Sequence, residues 1–150
     1  MKKATRLFLK VRPKAILRTV HPLKMDGAFP KHCWQNSSKF ATDNPTYGVL
    51  SGWIVGDFFG DKGTAIIPHY WIENRETLEQ FDPTPHVGGY IQSFDYIEDL
   101  EIFDLGTKEN YIPASLNMDK NGKIKAVTND GYLINIDELS VKRLYEISTP

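Results

Sequence analysis

The chain of 150 residues is 41% hydrophobic and 25% charged with a formal net charge of −1, the proportions of one ordinary folded domain. These values exclude a collagen-like, low-complexity or disordered chain, and the longest apolar stretches, 48–55 and 65–68, are too short to cross a bilayer. The single cysteine excludes an internal disulfide framework and a cysteine-based zinc cluster.

In chain order, the basic start Met1-Lys2-Lys3-Ala4-Thr5-Arg6 is followed by Lys10, Arg12 and Lys14, which leave no room for a signal-peptide apolar region, so the chain reads as cytoplasmic. Residues 7–12 read as a short strand or extended arm stopped by Pro13, and 14–20 as a helical turn or a second strand. Two prolines and Gly27 mark 21–30 as a loop. From Cys33 to Thr42 the spacing of Trp34, Ser37 or Ser38, and Ala41 predicts a helix, ended by Asp43-Asn44-Pro45.

The texture then becomes β. Residues 47–56 and 64–73 are predicted strands separated by a turn at 57–63. A polar turn at 74–77 should return 78–81 antiparallel to the second of them, with Asp82 at the strand's end. Residues 90–97 form a further β-prone stretch, Asp119-Lys120-Asn121-Gly122-Lys123 and Asn129-Asp130-Gly131 are hairpin turns, and 136–144 reads as a short helix. The expected fold is α+β, one domain over 1–150, with an N-terminal helix carrying a nucleophile packed on an antiparallel sheet and a β-hairpin region at 110–150.

Charge is unevenly placed. Residues 1–39 carry Lys2, Lys3, Arg6, Lys10, Arg12, Lys14, Arg18, Lys24, Lys31 and Lys39 against Asp26 alone. Asp95, Glu98, Asp99, Glu101, Asp104 and Glu109 are the counterweight. Because the basic residues alternate with apolar ones, the two segments are expected to face each other across the fold. A basic arm that grips nucleic acid or an acidic protein is the alternative.

Cys33, His69 and Asp82 occur in an order that chemistry can use. A thiol at a helix start lies in the positive field of unsatisfied amides, which favours thiolate, and a neighbouring imidazolium favours it further. The same amides, that of Cys33 among them, can receive an oxyanion. A histidine mid-strand would carry the proton, and an aspartate on the adjoining strand would orient it. Alternation places Ile67, His69 and Trp71 on one face, where a buried imidazole requires a polar partner, and Asp82 is the obvious one. Pro68 removes a ladder donor, which suits an edge or a bulge. His21, His32 and His86 show no metal-binding spacing with His69, and the lone cysteine gives no Cys-x-x-Cys, so no metal is expected.

The set Cys33-Trp34-Gln35-Asn36, Tyr47 to Gly52-Trp53, His69-Tyr70-Trp71 and Asp82-Pro83-Thr84 resembles the papain/transglutaminase-like cysteine enzymes, and more narrowly small bacterial and phage members of them. The resemblance covers 31–85. It implies a papain/transglutaminase-like core with Cys33 as nucleophile, His69 as general acid/base and Asp82 as its orienter. No glutamine precedes Cys33, unlike papain, so the second oxyanion donor is open among a side chain of the 21–32 loop, Gln35 and Asn36, with Trp34 and Trp71 as further oxyanion or substrate-side candidates. The expected activity is hydrolysis or acyl transfer at an amide or peptide-like bond through a Cys33 thioester, without a cofactor. A protein or peptide-like amide is the expected substrate, and no membrane partner is expected.

Overall fold

A computed structural model describes residues 1–58, 60–85, 94–101, 115–127 and 133–135. The chain opens with a helix, α1 (Lys3–Val11), and not with the strand expected over 7–12. Leu7, Leu9 and Val11 alternate as a strand would, but the buried residues are Ala4, Thr5 and Phe8, spaced for one face of a helix. The N-terminus of α1 has no capping side chain of its own. Asp95 supplies the missing acceptor, its Oδ2 taking the Lys2 N–H at 2.8 Å and the Thr5 hydroxyl at 2.6 Å.

Strands β1 (Ile16–Arg18) and β2 (Val20–Pro22) follow, so the expected loop at 21–30 begins inside a strand. Next come α2 (Cys33–Asp43), β3 (Tyr47–Val55), a 3-10 turn (Gly60–Lys62), β4 (Thr64–Asn74), β5 (Gln80–Asp82), β6 (Asp95–Glu98), β7 (Leu116–Met118), β8 (Ile124–Val127) and β9 (Leu133–Asn135). The helix carrying Cys33 is thus the second one among the described residues. The expected turn at 129–131, the expected helix at 136–144, the first part of the stretch at 90–97 and His86 lie outside the described residues.

Among the described residues one sheet runs in the order β1-β6-β3-β4-β7-β8-β9, with β5 also on β4 and β2 on β5. Every pair is antiparallel except β2–β5, so the architecture is α+β with a largely antiparallel sheet. The β4–β5 turn is built as expected from Asn74, whose Oδ1 accepts the N–H groups of Glu76 and Thr77. Asp119 does the same between β7 and β8, taking the N–H groups of Asn121 and Lys123.

One feature of β4 positions the site. Its inner edge pairs with β3 from Ile66 to Asn74, while its outer edge is shared by β7 at Thr64–Ile66 and β5 at Ile72–Glu73. Between them, over 67–71, no described strand pairs with it. Pro68 sits in this interval, where its missing N–H costs no ladder bond on that side. Helix α2 fills the interval instead, and Ser37 donates its hydroxyl to the Tyr70 carbonyl at 3.2 Å.

Alternation divides the sheet into two faces. One face packs Trp53, Val55, Ile66, Tyr70, Ile97, Leu116 and Met118 against Ala4 and Phe8 of α1 and Cys33 of α2. Phe8 meets Trp53 edge-on at 5.5 Å. Large side chains of this kind contribute about 1.5–3 kcal/mol each when fully buried. The other face gathers Leu50, Ile54, Trp71 and Tyr96. Basic and acidic segments do meet, since Arg12 pairs with Asp99 and Glu101 and Arg18 with Glu98, while Lys2 pairs with Asp57 outside the acidic segment. Among the described residues no helix is long and apolar enough to cross a membrane.

Candidate active site

Cys33 is the first residue of α2, and the preceding His32 makes no side-chain capping bond. No cap from the His32 side chain competes for the first amides of the helix, whose positive field falls on the Cys33 sulfur. The Cys33 side chain is buried, 6% exposed, at the edge of β4. It is hydrogen-bonded to the His69 ring and receives the backbone N–H groups of Tyr70 and Trp34. Tyr70 thus turns both its backbone groups outward to α2, the N–H to Cys33 and the carbonyl to Ser37 one helical turn further on.

His69 lies on the face of β4 that carries Trp71, and it is 5% exposed. Its Nε2 lies 2.8 Å from Asp82 Oδ2. Nδ1 is the nitrogen left to face Cys33. Phe81 is opposite Ile72 in the β4–β5 ladder, so Asp82 falls opposite Trp71 and diagonal to His69 on the same face. Cys33, His69 and Asp82 therefore form one continuous hydrogen-bonded line across α2, β4 and β5.

Asp82 is 4% exposed, and its carboxylate is fully occupied. Oδ1 accepts the Thr84 N–H at 2.9 Å, and Oδ2 accepts the Tyr96 hydroxyl at 2.5 Å together with His69. The turn chemistry of Asp-Pro-Thr-Pro and the contact with the histidine are thus served by different oxygens of one side chain. Tyr96 also meets the His69 ring edge-on at 6.0 Å. Burial, followed by the Asp82 charge and hydrogen bond, drives the Tyr96 hydroxyl well above its usual range, so it remains a donor.

Burial pushes the Cys33 thiol up, but the hydrogen bond and charge of His69 and the two backbone N–H groups outweigh it, and the net direction is down. Burial pushes His69 down, yet Asp82 and Cys33 raise it to about 9. Thiolate and imidazolium support each other, and the two groups titrate as a pair. Tyr70, beside the pair, is pushed up to about 12 by burial and then by the Cys33 charge.

Of the other expected residues, Trp34 is half-buried and packs edge-on against Tyr70 at 5.1 Å, and Gln35 is exposed on the first turn of α2. Asn36 is buried and committed elsewhere. Its Nδ2 donates to the Phe29 carbonyl at 2.8 Å and to the Thr84 hydroxyl at 3.0 Å, while its Oδ1 accepts the Phe29 N–H. Trp71 is fully buried, stacks on His69 at 6.3 Å, and gives its indole N–H to Gln80 at 2.9 Å. Both side-chain donors are therefore taken within the protein. His21 lies in β2 with its ring 6.1 Å from that of Phe81, and exposed His32 lies 5.8 Å from Phe29.

Sequence reading missed Tyr96, Gln80 and Gly52. Gly52 is paired with His69, and a Cβ there would fall 1.9 Å from the Ile97 carbonyl oxygen and 2.6 Å from the Trp71 ring. No local pattern marks these roles; each depends on register between strands. Among the described residues no group of three or more His, Cys, Asp or Glu side chains converges as a metal site would. Comparison of the chain with family models, with curated proteins and with solved structures gives no match.

Proposed function

We propose that the protein is a cysteine-dependent hydrolase or acyl transferase that acts on an amide or peptide-like bond through a Cys33 thioester, on a papain/transglutaminase-like core. The observation that carries this reading is the continuous line Cys33–His69–Asp82, with the carboxylate on Nε2 and the thiol at the remaining ring nitrogen. A cysteine that served only as a buried hydrophobe would gain nothing from a buried histidine, itself oriented by a buried aspartate.

In this reading the Cys33 thiolate attacks the carbonyl carbon, and the carbonyl π electrons move to oxygen. The N–H of Cys33, at the uncapped start of α2, receives that oxyanion. Collapse re-forms the carbonyl and breaks the C–N bond, with the His69 proton passing to the leaving amine. Water or an acceptor amine then attacks the thioester, gives its proton to His69 and releases Cys33 as thiolate. Peptide hydrolysis and deamidation both end with water and differ in the amine that leaves, whereas amine transfer ends with an acceptor amine. Trp34 and Gln35, on the first turn of α2, are the substrate-side candidates. The basic N-terminal segment supports a binding role less well, because Lys2, Arg12 and Arg18 are engaged by acids of the same chain.

The test is the rate of iodoacetamide labelling of Cys33 against pH, read by mass spectrometry, in the native protein and in His69→Ala. Cys33 is the only thiol, so the signal has one source. Fast labelling that persists well below the ordinary thiol range near 8.5, and that is lost in His69→Ala, is the expected result. An ordinary thiol profile in both proteins would return Cys33 to the core.

A further inference from the structure

A cavity of about 570 Å³ opens on the sheet face that carries His69. Its apolar walls are Phe58, Ala65, Ile67 and Phe94, with Lys62 and Asn117 among its polar members. The volume lies within the usual range for small-ligand pockets. Ala65 and Ile67 precede His69 and Trp71 at two-residue steps on one face of β4. The first two are exposed, Ile67 at 37%, and the second two are buried. The exposed apolar row therefore ends where the buried site begins.

The neighbouring strand repeats the relation. Phe94, which lines the cavity, stands two residues before Tyr96, which holds Asp82. Strand register places Tyr96 beside Ile54, and Ile54 opposite Ile67. On both strands, then, the residue two positions beyond the cavity belongs to the Cys33–His69–Asp82 assembly. Two residues of strand span about 7 Å.

We propose that this cavity is the substrate-selecting subsite, and that it takes an aliphatic or aromatic group adjacent to the amide attacked by Cys33. The inference rests on the thioester reading above and narrows it, since it favours amides flanked by an apolar group over those flanked by polar ones. A group held on the Ala65–Ile67 row lies two residues of strand, about 7 Å, from His69, and its transfer out of water would contribute up to about fourfold in rate per methylene buried.

The test compares two electrophiles on the intact protein, iodoacetamide and N-hexyl iodoacetamide, with labelling of Cys33 read by mass spectrometry. In each the sulfur displaces iodide and forms one S–C bond, so the two differ only in the alkyl chain. The hexyl reagent is expected to label the native protein at least about tenfold faster than iodoacetamide after correction for their rates with a free thiol. Ile67→Asp and, independently, Ala65→Asp should bring that ratio to within about threefold of unity, with circular dichroism showing that the variants are folded. A native ratio near one, or a high ratio that survives both substitutions, would overturn the subsite while leaving the thioester reading intact. Iodoacetamide labelling with an ordinary thiol profile would instead overturn the reading on which the subsite rests.

Discussion

Asp82→Asn tests the orienting role of the carboxylate with the least change of shape. In the native protein Oδ1 takes the Thr84 N–H, and Oδ2 takes His69 Nε2 and the Tyr96 hydroxyl. If the asparagine oxygen stays with Thr84, its NH2 group faces Nε2 and demands an acceptor there. Nε2 must then be unprotonated, the proton moves to Nδ1, and the ring presents N–H to Cys33 as a neutral imidazole. The turned amide is worse, because its NH2 group would oppose the Thr84 N–H. Either way one buried charge-assisted hydrogen bond is lost, worth about 1.5–3 kcal/mol. By the tenfold-per-1.4 kcal/mol conversion, the thiolate–imidazolium population falls by about one to two orders of magnitude. Iodoacetamide labelling near pH 6 is the assay, with circular dichroism to confirm the fold. Labelling should slow by about 10- to 100-fold and its profile move toward that of an ordinary thiol. A folded Asp82→Asn protein with the native profile would refute the argument, since it would mean that His69 is charged without help from the carboxylate.

Tyr96→Phe keeps the ring against Trp71 and His69 but removes the donor to Asp82. It should lower stability by about 1.5–3 kcal/mol in urea titration, while labelling at neutral pH changes by less than about threefold, because the carboxylate keeps its charge. Stability should also follow pH through the coupled pair. Cys33 is lowered when folded, so its contribution is present above the unfolded thiol range and is lost as pH falls through its folded value. His69 is raised to about 9, so its contribution is fully present below its unfolded value of about 6.5 and is lost as pH rises through about 9. Between the unfolded values of about 6.5 and 8.5 the folded pair and the unfolded chain hold nearly equal numbers of protons, so thermal melts should show a plateau over about pH 6.5 to 8.5 with an alkaline fall that is reduced in His69→Gln. Gly52→Ala places a methyl against the Ile97 carbonyl and the Trp71 ring, and should cost more than about 3 kcal/mol by denaturant titration, with loss of fast labelling as His69 shifts.

The amino-acid sequence by itself determined the local pieces on which the site stands. Apolar spacing and the Asp43-Asn44-Pro45 stop defined α2 with Cys33 at its start, β-prone runs defined β3 and β4, and Asn74 defined the turn that brings Asp82 back toward His69. These are short-range signals, because each depends on residues a few positions apart. Tertiary structure alone decided the rest. α1 was illegible because its N-terminal acceptor is Asp95, about ninety positions away, and its buried face is defined by packing on distant strands, as where Phe8 meets Trp53. The interval on β4 that admits α2 exists because β7 and β5 each cover only part of one edge, which no window of sequence records. Asn36 and Trp71 carry side-chain donors that look available in the sequence, yet Phe29, Thr84 and Gln80 have already taken them. Tyr96 reaches Asp82 only through the register of β6 on β3 and of β3 on β4. Local periodicity sets which residues form an element and which way they alternate. Which partner a buried polar atom meets is set by packing between elements far apart in the chain.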